Sequence, residues 1–248
     1  MRNTDLPAVV IKKELELPYN LEEAFNSLRI NLNFAAADAK IIMITSSIAG
    51  EGKSFVSMHL MKALAESGKR VCLIDADMRG SSMVRDYRIS SDKNIVGLSH
   101  YLSGQSRFVD TLYRVENIER AYIIPCGAYV INPTILLEND RFKIVIKNAS
   151  NNFDYVIVDS APIGVVADAK VISQYCSGAL MVIKSGAVTG AMAQNTAEQI
   201  EESGCRLLGY ILNRKDCRGD LYYKNDYYKN SARKKKASDR KKLKKAKN

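Results

Sequence analysis

Four consecutive apolar residues, Ile41-Ile42-Met43-Ile44, run into a glycine-containing loop and then a helical segment, and this junction constrains the fold more than any other stretch. The loop reads Ser47-Ile48-Ala49-Gly50-Glu51-Gly52-Lys53-Ser54. A buried strand, such a loop and a helix from about Lys53 to Ser67, stopped by Gly68, form the context that a phosphate-binding loop requires. Gly50 and Gly52 let the backbone aim N–H groups at phosphate oxygens, and the positive end of the helix dipole adds to the attraction. Lys53 can reach the β- and γ-phosphates of ATP, and the Ser54 hydroxyl can bind Mg²⁺. The expected nucleotide contacts are Ser47, Ile48, Ala49, Gly50, Glu51, Gly52, Lys53, Ser54 and Phe55. One residue departs from the usual GxxxxGK[ST] spacing: Ser47 stands where its first glycine would be.

Two further strands end in acids. Val71-Cys72-Leu73-Ile74 is followed by Asp75-Ala76-Asp77, and Tyr155-Val156-Ile157-Val158 by Asp159. In an open parallel sheet, ligands bind outside the carboxyl ends of the strands, so these acids and the loop are expected in one crevice. A lone Asp after a strand more often caps a turn. Two such strands accompanying a phosphate loop favour the functional reading. Asp159 is expected to be a Walker-B-type acid, with Ser54, Asp77 and Asp159 around Mg²⁺. Asp75 and Asp77 can also take a proton from an incoming hydroxyl, which with Lys53 makes up the catalytic set.

Ala179 to Ile183 and Leu207 to Leu212 read as additional strands of continuous apolar character, the pattern of strands covered on both faces. Their alternation with helical stretches predicts an α/β fold: a doubly wound, mainly parallel sheet of the P-loop NTPase type, with helices on both faces. Residues 1–39 are expected to hold an extended leader and an amphipathic helix from Leu21, capped by Asn20; 40–218 the nucleotide-binding domain; and 219–248 a flexible tail. Residues 80–150 read as helices and loops with one strand near Tyr122-Ile123-Ile124.

The tail carries two notable features. The unit Tyr-Tyr-Lys-Asn occurs twice, at Tyr222-Tyr223 and Tyr227-Tyr228, so four of the chain's 13 tyrosines lie in nine residues without apolar neighbours. Beyond them, Arg233 to Lys247 is strongly basic and accounts for almost all of the formal charge of +10. The body of the chain is nearly neutral, so nucleic acid is not expected as a partner. A solvated end is the first reading of this run. Contact with an anionic membrane surface is the second, and co-sedimentation with neutral and anionic vesicles separates the two. The five cysteines are odd in number and lack CxxC spacing, and the two histidines form no zinc pattern, as befits a reducing cytoplasm. No run of 18 uncharged apolar residues is present, so attachment to a membrane is expected to need a partner.

With the phosphate loop, the Leu-Ile-Asp-Ala-Asp-Met-Arg strand, the Val-Ile-Val-Asp-Ser-Ala-Pro segment and the tyrosine repeat together, the chain resembles the bacterial tyrosine kinases (BY-kinases) of polysaccharide synthesis. It is most similar to their stand-alone cytoplasmic subunit. The resemblance runs from about Leu21 to Asn230. It implies ATP- and Mg²⁺-dependent autophosphorylation of Tyr222, Tyr223, Tyr227 and Tyr228 between subunits of a homo-oligomeric ring. It also implies regulation of capsule or exopolysaccharide synthesis, recruitment to the inner face of the cell membrane by a chain-length-regulator adaptor, and a place near adenine for Asn213. Two positions depart from the family pattern. Its ExxRxxR helix reads Glu23, Asn26, Arg29, and its acid after Asn-Pro-x is Ile135. The nearest rival is a ParA/MinD-like ATPase, whose signature lysine after the first loop position is Ile48 here.

Overall fold

The apolar runs assemble side by side. In a computed structural model, which describes residues 6–35 and 38–214, the core strands are β2 (Ile41–Ser46), β3 (Val71–Asp75), β7 (Tyr155–Asp159), β8 (Gly178–Lys184) and β9 (Leu207–Asn213). Four shorter strands, β1 (Ala8–Ile11), β4 (Ile89–Ser90), β5 (Tyr113–Val115) and β6 (Ala121–Ile124), complete a sheet of order β4-β1-β5-β6-β3-β7-β2-β8-β9. From β6 to β9 every pairing is parallel; β5 turns antiparallel to β6, and β4 antiparallel to β1. This is the expected α/β architecture. The chain divides into two units, 1–213 and 214–248, and the tyrosine repeat and basic run belong to the second, outside the described residues.

Crossover helices cover both faces: α1 (Tyr19–Ala35), α2 (Lys53–Glu66), α7 (Asp140–Asn152), α8 (Asp168–Ser173) and α9 (Gly190–Glu202). One apolar cluster packs α1 and α2 against the sheet through Phe25, Leu32, Met58, Leu64, Ile42 and Leu73. A second, on the opposite face, joins Phe142, Val145 and Ile172 to Met43, Ile74 and Val158. No described helix is long and apolar enough to cross a membrane.

Three local readings differ from the structure. The leader contains β1, which pairs with both β4 and β5. The 80–150 region holds β4, β5 and β6 rather than one strand, between α3 (Met83–Asp86), α4 (Leu98–Leu102), α5 (Phe108–Thr111) and α6 (Pro133–Leu137). Helix α1 begins at Tyr19, because the Pro18 carbonyl accepts the N–H groups of Leu21 and Glu22; Asn20 therefore lies within the helix.

The α1–α2 seam contains a histidine. His59 is 5% exposed, with its ring centroid 4.4 Å from that of Phe55 and 5.5 Å from that of Phe25. Burial, followed by the charges of Lys62 and Lys13, lowers its pKa to about 4. A group depressed in this way is neutral when folded, so the unfolded chain binds the extra proton between about pH 6.5 and 4. Stability is full above that window and falls as pH drops through it. His59→Phe is expected to remove on the order of 2 kcal/mol of this acid sensitivity, after allowance for solvent screening. Equal slopes of melting temperature against pH for the two proteins would refute this.

Candidate nucleotide and phosphotransfer site

Strand order explains how the site assembles. β3, β7 and β2 are consecutive neighbours, with Asp75 opposite Asp159 and Asp159 opposite Ile44 in the ladder. Adjacent strands lie about 4.8 Å apart. The acids that end β3 and β7 and the loop after β2 therefore stand in one row at the carboxyl edge. The ends of β8 and β9, at Lys184 and Asn213, extend that row.

The loop takes the form its glycines allow. Gly50 and Gly52 have φ of 79° and 97°, a region that L side chains rarely adopt. Ser47 has no positive φ, so this position tolerates a Cβ, and its hydroxyl accepts a hydrogen bond from Thr196 of α9 at 2.9 Å. The departure from glycine is thus a packed and bonded position. Gly164, in the loop after β7, is needed for close approach: a Cβ there would lie 2.5 Å from the Ser47 carbonyl oxygen.

Helix α2 starts at Lys53, which is 7% exposed. The nearby Ser54 hydroxyl, the Lys53 charge and Ser57, whose hydroxyl donates to Asp159 Oδ1 at 3.1 Å, draw the Asp159 pKa partly back down. Burial is nevertheless the dominant influence, and it raises Asp159 above the usual carboxylate range. Asp75 is raised too, first by burial and then by the charge of Asp159, against a hydrogen bond from Ser81. Both acids are fully buried, and Asp75 Oδ1 and Asp159 Oδ2 lack protein partners. The orphaned oxygen of Asp159, beside Ser54 at the helix start, fits a hard divalent cation that takes oxygen ligands in common with phosphate, and that of Asp75 is open to a proton. Among the described residues no three His, Cys, Asp or Glu side chains form a closed metal cage. Mg²⁺ in phosphoryl-transfer sites keeps water and phosphate ligands and does not use such cages.

Asp77 is only half-buried, and its Oδ1 accepts the Gly80 N–H at 3.0 Å. Gly80 and Ser81 also line an open cavity of about 300 Å³ together with Met78, Arg79, Arg85 and Tyr129. Its link to the acidic row is Ser81, whose hydroxyl also bonds Asp75.

Some expected contacts have different positions or tasks. The ring of Phe55 packs between Phe25 and His59 in the α1–α2 seam, which leaves only its backbone at the loop. The side-chain amide of Asn213 donates to the Glu51 carbonyl at 2.8 Å, beside Gly52, where a Cβ would clash with it. Glu51 itself is fully buried.

Other residues at the site had no assigned role from sequence. Arg79 grips the buried Asp168 through two bonds, of 2.6 and 3.1 Å, and the Thr134 hydroxyl donates to the same carboxylate at 2.5 Å. This pins the loop after β3 to α8 and α6. Ser57 had a legible signal, since it stands three residues after Ser54 on one helix face.

The fold and this row of groups define a P-loop nucleotide-binding protein of the α/β class. The AAA_31 family model, described as an AAA domain, matches residues 39–202. The chain is 38% identical over 205 residues to "Tyrosine-protein kinase CpsD" of Streptococcus agalactiae serotype III (strain NEM316), covering 83% of this chain and 87% of that protein. Among solved structures, the kinase domain of the Escherichia coli tyrosine kinase ETK matches with a TM-score of 0.73 at 28% identity, over 85% of this chain and 91% of that one. The septum site-determining protein MinD from Pyrococcus horikoshii OT3, complexed with Mg-ADP, matches at a TM-score of 0.61 and 26% identity, over 71% of each chain. The chain belongs to the bacterial tyrosine-protein kinase family, and it is an enzyme of that class.

Proposed function

We propose that this kinase transfers the γ-phosphoryl group of ATP to its own C-terminal tyrosines, Tyr222, Tyr223, Tyr227 and Tyr228, with one copy acting on another within a homo-oligomer. The observation that carries this reading is the row of Asp75 and Asp159, each fully buried with one unpartnered oxygen, next to the loop that bears Lys53. Ser81, whose hydroxyl bonds Asp75, also lines an open cavity of about 300 Å³.

In this reading the N–H groups at the start of α2 and the Lys53 ammonium bind the phosphates and hold the γ-phosphorus in line with the acceptor oxygen. Ser54, Asp77 and Asp159 would hold Mg²⁺, which when bound neutralises charge on the β- and γ-phosphates. Asp75 takes the phenolic proton as the new P–O bond forms and ADP leaves. Burial strengthens Asp75 as a base, so its proton affinity suits this task. Asn213, whose amide donates to the Glu51 carbonyl, would stand near adenine. The product tyrosines regulate capsular or exopolysaccharide synthesis, with the kinase working in the cytoplasm beside a membrane adaptor of the chain-length-regulator type.

Incubation with Mg·ATP, with and without the adaptor's cytoplasmic segment, followed by phosphosite mapping, tests this. Phosphate is expected on the four tail tyrosines, and Tyr→Phe changes there should remove it while ATP binding persists. ATP hydrolysis without any phosphotyrosine would sink the autokinase reading in favour of a MinD-like ATPase.

A further inference from the structure

The side chain of Glu51 sits in the middle of a loop expected to bind phosphate, which an anion should oppose. Its carboxylate is nevertheless fully buried. Oε2 accepts the N–H groups of Ser47 at 2.8 Å and Ile48 at 3.0 Å, and Oε1 accepts the N–H of Lys184, the last residue of β8, at 3.0 Å. The Glu51 carbonyl in turn accepts the Asn213 amide of β9. One residue thus ties the first turn of the loop to itself and to the ends of two neighbouring strands.

Although the sequence points to Ser47 and Ile48 as nucleotide contacts, their N–H groups are taken by Glu51 and are not open to a phosphate. The N–H groups of a helix's first turn, here Lys53, Ser54 and Phe55, have no intrahelical partner and form the anion site. Ser47 and Ile48 lie at the far end of the loop, where an unmatched buried N–H would cost about 1–3 kcal/mol. Three N–H donors also offset the desolvation of the carboxylate.

We propose that Glu51 is a positioning residue, an internal staple that holds the phosphate loop in its nucleotide-ready shape before nucleotide arrives. The proposal rests on the nucleotide-binding reading of this loop. Its chemistry requires acceptors at both oxygens. A glutamine offers one, so whichever way its amide turns, an NH₂ group faces either Ser47 and Ile48 or Lys184. A conservative replacement should therefore fail to rescue.

Calorimetric titration of ADP into wild type, Glu51→Gln and the exposed control Glu66→Gln tests the staple. We expect Glu51→Gln to weaken ADP at least about tenfold, because the loop must then be ordered by the ligand itself. The KM for ATP should rise more than kcat falls, and the control should match wild type. A Glu51→Gln protein that melts lower yet binds ADP as wild type does would overturn the proposal by reducing Glu51 to a structural role. Should that variant not fold, amide exchange on the wild-type protein decides. The Ser47, Ile48 and Lys184 amides should be protected without nucleotide and unchanged by ADP, while those of Gly52 to Ser54 gain protection. Ser47 and Ile48 amides that exchange freely until ADP is added would refute the staple. If wild type binds neither ADP nor ATP, the nucleotide reading fails, and the exchange pattern still judges the staple.

Discussion

Lys53→Met is expected to lower the transfer of label from γ-labelled ATP to protein tyrosine by at least about 100-fold, the scale on which loss of one preorganised charge-stabilising group is felt in a transition state. The lysine is 7% exposed, at the first position of α2, and its charge already acts on Asp159. The buried site lowers the effective dielectric and strengthens its hold on phosphate oxygens. Methionine keeps the length and apolar stem but removes the charge. The folded protein should therefore survive, as judged by an unchanged far-UV spectrum and a single melting transition. Labelling within a few-fold of wild type would remove Lys53 from the catalytic set.

Asp75→Asn should have two opposite effects. Phosphotransfer is expected to fall by a similar factor, since the amide cannot accept the phenolic proton. The nucleotide-free protein, by contrast, should become more stable. Asp75 and Asp159 face each other across adjacent strands in full burial, and burial with the Asp159 charge raises the Asp75 pKa. The folded state thus binds this proton more tightly than the unfolded chain does. The resulting stability is complete below the ordinary carboxylate pKa of about 4 and is lost as pH rises through the folded value. Asparagine fills the same volume, keeps an acceptor for Ser81 and carries no charge at any pH. A gain of about 2 kcal/mol at pH 8, or about 5 °C in melting temperature for a domain of this size, is expected, shrinking towards pH 5. Such a trade of stability for activity is what a strained site predicts. A variant that melts no higher than wild type anywhere between pH 5 and 8 would contradict the account of these two acids.

The chain's sequence made some of this legible and concealed the rest. Runs such as Val71–Ile74 and Tyr155–Val158 declared themselves as strands because they are buried on both faces and every residue must be apolar. β1 and β4 escaped notice because strands of four and two residues carry too little pattern, and their pairing is decided by partners roughly 80 residues away. Gly50, Gly52, Lys53, Ser54 and the two strand-end acids could be read as a site, since backbone freedom, charge and position relative to a strand are local properties. The task of Glu51 could not, since Lys184 and Asn213 lie more than 130 residues along the chain.

The sequence by itself thus determined that a phosphate loop precedes a helix, that acids follow two buried strands, and that tyrosines cluster near the end of the chain. Only the tertiary structure decided that β7 stands between β3 and β2, so that Asp159 meets both Asp75 and the loop. It alone showed that Ser47 is bonded to α9, that Phe55 faces away into the α1 seam, and that a buried carboxylate binds the loop together. The reason is physical: which residue types occur is written along the chain, but the burial that shifts a pKa and the partner that satisfies a donor are set by strand order across it.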